Sequence, residues 1–364
     1  MGQKAGNLMA FLMHPRYQFK EDLSLTRKLG WVKIFSEKFL AKVLPRMEPI
    51  PSRIWHYGKL IGYAILIPMT GAQILARPKD AIGKIASAIF KAKILGAKIV
   101  ALGAYTSSIT NGGQFCRKGR YNVSGLAIDN GNDLTARANV KAVEKICAQL
   151  DWDMSQKTIA IIGATGSTGR AVSMGLAFSG CNLILISRTM QKLQKLKEEI
   201  LDDNFAPDAR VSVALDKEQN PRTKELLARA DMVIVLTTAV GSLLDPEDLK
   251  QNAIIYDPSQ PQNTTPELLK SRLDVTRIDG CVIRIPGIKT EFEIGLNKEC
   301  VYACFAKGLA AAHLGENHDS IGDIEYCAML RAEKYFHMDG MILELAPFTS
   351  FGKPVDLTRL SQSG

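Results

Sequence analysis

The chain has 364 residues, enough for two or three domains with separate cores. Hydrophobic residues at 46% and charged residues at 23% exclude a disordered chain, and seven cysteines without a C-x-x-C pair exclude a disulfide framework. The 46 basic and 37 acidic residues leave a net charge of +9, which favours an acidic partner such as a nucleotide, an anionic membrane or an acidic protein.

No zinc-finger or RNA-recognition signature is present, so no nucleic-acid partner is expected. No metal-ligand spacing is present either, and the expected set of metal ligands is empty. The first ten residues lack a basic start and an apolar core, so reduced thiols and a cytoplasmic location are the expectation.

Residues 19–44 read as helical, and Pro45, Pro49 and Pro51 then break the pattern. Residues 54–67 suit two strands. Residues 60–76 are the most apolar stretch, interrupted by Gly62, Pro68 and Gly71. The stretch is too short and broken to span a bilayer, and is expected to line a greasy pocket or touch a membrane surface peripherally. Ile82, Ile85, Ala86, Ile89 and Phe90 recur at helical spacing over 80–97. A strand over 98–102 follows, ending in Gly103-Ala-Tyr-Thr-Ser-Ser108, and a helix is predicted from about 134 to 150.

Behind a polar joint at 151–156 comes Thr158-Ile-Ala-Ile-Ile-Gly-Ala-Thr-Gly-Ser-Thr-Gly169. Five β-prone residues run into three glycines at spacing three, followed by a helix-compatible segment. This is the grammar of a strand, a phosphate-binding turn and a helix N-terminus. Gly163 permits the sharp turn, Gly166 lets the backbone approach a pyrophosphate, and Gly169 lets the helix pack close to the strand. Ala164, Thr165, Ser167 and Thr168 complete the candidate cradle. A glycine-rich turn of an ordinary α/β domain is the competing reading.

The next apolar run, 182–188, ends in Ser187, Arg188 and Thr189. A dinucleotide site that prefers NAD usually carries Asp or Glu here. A guanidinium suits a 2′-phosphate, so the expected cofactor is NADPH. Further strands are predicted at 211–215, 231–238, 253–257 and 281–285, with Thr237, Thr238 and Asp257 at carboxyl ends. Strands alternating with helices imply a doubly wound parallel sheet, a Rossmann-type NADP domain, over 151–290. It is flanked by an α/β N-terminal substrate domain over 1–150 and a C-terminal helical region over 291–364.

Residues 297–314 are good helix formers. On one helix, Cys300 and Cys304 would share a face, with Lys307 on the next turn. A thiol beside a lysine and a helix N-terminus would have a lowered pKa and act as a thiolate nucleophile. Packing alone would also explain cysteines in such a helix.

Several segments together resemble the long-chain acyl-acyl-carrier-protein reductases best known from cyanobacteria. Val301-Tyr-Ala-Cys-Phe-Ala-Lys-Gly308 is similar to the family's Ala-Cys-Phe-Ala-Glu-Gly segment. Ala101-Leu-Gly-Ala-Tyr-Thr-Ser-Ser-Ile109 is similar to its Ala-Leu-Gly-Gly-Phe-Ser-Ser-Ile, and the glycine turn 162–169 matches in place. The resemblance covers roughly residues 8–345. It implies NADPH-dependent reduction of a fatty acyl thioester to a fatty aldehyde, with acyl carrier protein or acyl-CoA as donor and an N-terminal domain that takes the acyl substrate. It places the nucleophile at Cys304. Ser107, Ser108 or nearby backbone N–H groups are candidate oxyanion donors, with Lys307 beside the sulfur.

Three departures stand out. Lys307 replaces the family's Glu, Tyr105-Thr-Ser carries one extra residue, and Asp257-Pro-Ser-Gln-Pro261 replaces Asp-Gly-Gly-Tyr-Pro. Two other readings share the glycine turn: another two-domain NADPH oxidoreductase related to shikimate dehydrogenase or glutamyl-tRNA reductase, and a non-catalytic nucleotide- or lipid-binding protein. The first lacks the Asn-Val-Thr-Val-Pro-Phe-Lys context of shikimate dehydrogenases.

Overall fold

The computed structural model describes residues 8–15, 18–20, 32–216, 220–237, 244–290 and 295–357, and within these every side chain outside 52–54. The chain divides into two units that are not consecutive in sequence. Unit 1 comprises Met1–Leu134, Val282–Asp323 and Glu333–Glu344, and unit 2 comprises Thr135–Cys281, Ile324–Ala332 and Leu345–Gly364.

Unit 1 is built on a mixed sheet of β1 (Met9–Met13), β2 (Ile50–Tyr57), β3 (Leu60–Leu66), β4 (Ile99–Leu102) and β5 (Ala127–Asp129). The strand order is β2-β3-β1-β4-β5, with Lys289–Thr290 added beside β2. β2 and β3 pair antiparallel, whereas β1 lies parallel between β3 and β4, and β5 is parallel to β4. Alternate residues point to opposite faces. On one face Ala10, Leu12, Val100 and Leu102 pack against Ile85, Ala88, Ile89 and Ala92 of helix Pro78–Ile94. On the other, Gly308 of helix Ala303–Leu314 lies so close that an added Cβ would stand 2.6 Å from Ala101 Cβ and 2.7 Å from Met9 Cε. Glycine is required there by the approach of helix to sheet.

Unit 2 is a parallel sheet of β6 (Thr158–Ile162), β7 (Asn182–Ser187), β8 (Val211–Leu215), β9 (Met232–Val235), β10 (Ile254–Asp257) and β11 (Thr276–Asp279). The order β8-β7-β6-β9-β10-β11 is the doubly wound 3-2-1-4-5-6 arrangement, and each neighbouring pair is parallel. β6, β7, β9 and β10 are buried on both faces, which explains their near-continuous apolar runs. Each fully buried Ile or Leu contributes roughly 1.5–3 kcal/mol. Rossmann-type α/β architecture is therefore the fold of this unit.

Several expectations are corrected. Residues 60–76 form β3 and helix Gly71–Ala76, with Ala64, Ile65, Leu66, Ile67, Met69 and Ile74 in the core, so most of the stretch's apolar character serves packing. Within 19–44 the described α-helical residues are 19–20 and Glu37–Val43, and 21–31 lie outside the described residues. The last strand of the parallel sheet is Thr276–Asp279, whose Arg277 hides it from a hydropathy reading. Val282–Arg284 instead pairs antiparallel with Cys300–Tyr302. Residues 300–302 are therefore strand, not helix, and the helix begins at Ala303. Cys300 and Cys304 consequently do not share a helix face. Among the described residues no helix is long and apolar enough to cross a membrane, and no cluster of side chains could hold a metal ion.

Candidate active site

In unit 1 the carboxyl ends of parallel strands β4 and β5 face the start of helix Ala303–Leu314. Cys304 is the second residue of that helix and remains part-exposed, although its neighbours are buried. Burial pushes its thiol up to about 11. Backbone N–H groups of Phe305, Ala104 and Cys304 itself act in the opposite direction by favouring the thiolate, and nearby Asp129 disfavours it. This corrects the expected lowered pKa, because desolvation outweighs the helix terminus. All seven cysteines are free.

Two backbone features seat Cys304. After β4 the chain turns at Ala104, with φ 47° and ψ −125°, a conformation suited to glycine and strained for alanine. That turn presents the Ala104 N–H to the sulfur. His14, at the end of β1, supports it by accepting a bond from the Tyr105 N–H at Nε2 (3.3 Å) and stacking on the Tyr105 ring at 5.4 Å. After β5, Gly131 has φ +66°, and a Cβ there would lie 2.5 Å from Cys304 Cα. His14, Gly131 and Asp129 carry no motif signal. Only a left-handed glycine requirement would have marked Gly131, and one sequence does not reveal it.

Lys307 does not lie free beside the thiol. Its ammonium donates to Asp129 Oδ2 at 2.6 Å, with Asp133 at 3.9 Å and Glu316 at 4.0 Å, and sits 4.8 Å above the Tyr335 ring. Burial alone would lower its pKa, but Asp129 and Asp133 overcome that and hold it protonated. Ser107 is buried in the turn Tyr105–Ser108 and Ser108 is exposed on it. The N–H donors around the sulfur are backbone groups instead.

In unit 2 the predicted glycines sit where the sheet order reverses, at the end of β6. Gly163 has φ +86°, and its N–H and that of Ala164 both donate to Ile186 O, at 2.9 and 3.1 Å. An added Cβ at Gly169 would stand 2.2 Å from Gly163 O, so helix Ser167–Phe178 can start this close only with glycine. Gly166 is the exposed N-cap, and Ser167 and Thr168 begin the helix, leaving its N-terminus able to take a phosphate. The cradle thus fits a dinucleotide's pyrophosphate. Thr165 Oγ1 bonds Ser187 Oγ at 2.6 Å, tying the turn to β7. Ser167 Oγ accepts the Ile324 N–H at 3.0 Å.

Arg188 and Thr189 are exposed just past β7, where the ribose end of a dinucleotide lies in this fold. Thr237 follows β9 and its carbonyl accepts from Asn263 Nδ2 at 3.1 Å, while Thr238 lies outside the described residues. Asp257 is fully buried. It accepts from the Asn263 and Thr264 N–H groups at 3.1 and 2.9 Å, from Thr264 Oγ1 at 2.6 Å, and from Ser259. Its carboxylate fastens the 258–264 loop.

Strand order and glycine turn define a Rossmann-type α/β protein with a second unit that presents a seated cysteine. No family model matches the chain. It is 26% identical over 302 residues to aminotransferase PigE of Serratia sp., covering 81% of this chain but 33% of that protein, so it spans about a third of that relative. It is 26% identical over 262 residues to the long-chain acyl-(acyl-carrier-protein) reductase of Synechococcus elongatus, covering 70% of this chain and 72% of that protein. Among solved structures, quinate dehydrogenase from Corynebacterium glutamicum, in complex with NAD, is 13% identical, covers 92% of this chain and 99% of that one, and has a TM-score of 0.41.

Proposed function

We propose that the protein is a nicotinamide-dependent oxidoreductase that reduces a long-chain acyl thioester to an aldehyde through an acyl-Cys304 intermediate. The observation that carries this reading is the seating of Cys304: a part-exposed thiol at a helix start, with backbone N–H groups of Ala104, Cys304 and Phe305 around it. The similarity to the Synechococcus reductase supports the acyl-carrier-protein substrate. The thiolate attacks the thioester carbonyl carbon, the bond to the donor sulfur breaks, and the donor leaves as a thiolate that takes up the proton Cys304 gave to solvent. The N–H groups that favour the thiolate are the donors that would receive the oxygen charge developing next to it. Hydride for the second step is what a nicotinamide bound at the glycine turn supplies. After reduction the Cys304 sulfur leaves, the hemithioacetal collapses and aldehyde is released.

The wild-type protein mixed with long-chain acyl carrier protein or acyl-CoA, without nicotinamide, should gain the mass of one acyl group on Cys304. Adding NADPH should remove that mass and release aldehyde. An unchanged mass with every donor rejects the reading.

NADPH is proposed over NADH because the chain carries Ser187, Arg188 and Thr189 at the end of β7, where an NAD site usually has Asp or Glu. Arg188→Ala should weaken NADPH binding roughly 10- to 100-fold, the loss of a charge-assisted contact, and NADH binding less than about threefold. Equal losses, by fluorescence titration, would refute the assignment.

A second reading rests on the Lys307–Asp129 pair, since a lysine–aspartate couple could take the proton from the hydroxyl of a small acid while hydride passes to a bound NADP⁺, as in shikimate dehydrogenases. Both side chains are at most 4% exposed, which leaves neither able to reach a substrate in this conformation. Reduction of NADP⁺ by shikimate or quinate, with no acyl adduct, would favour it.

A further inference from the structure

We propose that Lys307 is a positioning residue for Cys304: by locking Asp129 it holds the 129–131 loop against the cysteine's backbone and offsets part of that carboxylate's negative charge. The inference rests on Cys304 being the reactive group. Its chain of contacts is continuous. Lys307 Nζ binds Asp129 Oδ2 at 2.6 Å, and Asp129 Oδ1 accepts the Gly131 N–H at 2.7 Å. Gly131 in turn stands where a single added carbon would meet Cys304 Cα at 2.5 Å.

The loop is fastened on its other side as well. Asn130 Nδ2 donates to Gly322 O at 2.9 Å and Gly112 O at 3.2 Å, and its N–H donates to Ser320 O at 2.9 Å. The loop can therefore seat the cysteine only in the register that Asp129 fixes.

The charges around Lys307 make the second half of the argument. Asp129 closes β5, Asp133 lies in the first turn of helix Asn132–Gln149, Glu316 follows helix Ala303–Leu314, and Tyr335 faces the ammonium from Ala332–His337. Lys334 neutralises Glu316 from outside at 2.6 Å. That leaves Asp129 and Asp133 sharing Lys307. Burial pushes the Asp133 carboxyl up, while Lys307 pulls it down and Asp129 pushes it up further. Removing the ammonium would leave Asp129 as an uncompensated negative charge near the sulfur, opposing the thiolate.

The test reads thiol reactivity, which involves neither acyl donor nor nicotinamide. Iodoacetamide alkylation of Cys304 is followed against pH by mass spectrometry that localises the modified residue. In wild-type protein the rate should rise toward a midpoint of about 11, as burial dictates. Lys307→Met should alkylate at least tenfold more slowly than wild type at pH 8 and move the midpoint upward. Lys307→Arg should restore most of the rate. The double variant Lys307→Met/Asp129→Asn should return to within about threefold of wild type, because the amide carries no charge and its oxygen can still accept the Gly131 N–H.

A folded Lys307→Met protein with the wild-type pH profile overturns the proposal, as does a double variant no faster than the single. If Lys307→Met fails to fold, Asp129→Asn alone decides. It should alkylate faster than wild type at pH 8, and an unchanged or slower rate overturns the proposal. If this pattern holds while no acyl adduct forms, the function fails and the positioning role stands.

Discussion

Cys304→Ala should abolish both acyl-adduct formation and aldehyde production while leaving the fold intact. A nucleophile that forms a covalent intermediate is not replaced by water in the same pocket, so the loss in kcat/KM should be on the order of 10⁴-fold or more. Stability should change by less than about 1 kcal/mol, because the side chain is small, part-exposed and free of a disulfide. The backbone N–H groups that favour the thiolate, the one at position 304 included, are left in place by a side-chain substitution. Dinucleotide binding should also persist, since the glycine turn belongs to unit 2. The decisive measurement pairs intact-protein mass with NADPH titration on one preparation. An acyl adduct that survives in Cys304→Ala would show that another nucleophile carries the chemistry.

Gly163→Ala should be the most damaging single-methyl change in unit 2. At φ +86° an alanine is strained by about 1–2 kcal/mol. The added Cβ would also stand 2.3 Å from Leu236 O, a backbone atom that cannot turn aside. The Leu236 N–H is bonded to Ile162 O at 2.8 Å, so relief requires β6 and β9 to separate at the point where the sheet order reverses. Overpacking of this kind adds about 1–3 kcal/mol. The melting temperature should fall by roughly 5–15 °C, and NADPH affinity by more than about tenfold as the cradle opens. Gly180→Ala is the control. Gly180 has nearly the same φ, +88°, but its nearest neighbour, Ser155 Cβ, would be 4.0 Å away. It should lose only the conformational part. Equal damage in the two variants would mean that backbone angle, not the Leu236 contact, sets the cost.

Unit 2 was largely legible in the sequence because its determinants are local. Five apolar residues before Gly163, glycines at 166 and 169 and the apolar run to Ser187 each specify their own strand, turn or helix start. The same local logic failed at Thr276–Asp279. Arg277 is 1% exposed there, paired with Asp279 and bonded to Thr264, and a buried charge looks like a surface one until its partners are known. It also failed at 300–302, where helix formers became a strand because Val282–Arg284 offered a partner.

The sequence by itself determined the Rossmann-type fold and its glycine turn, since each depends on residues adjacent in the chain, whereas Cys304 was singled out by a family resemblance. Only the tertiary structure decided what surrounds that thiol. Ala104, Asp129 and Gly131 approach Cys304 from the ends of two strands, His14 supports the Ala104 turn through Tyr105, and Lys307, three residues away on the same helix, turns instead to a carboxylate 178 positions earlier in the chain. The physical reason is that a buried ammonium must find its counter-charge wherever the fold places one, and no spacing rule in the sequence encodes that choice.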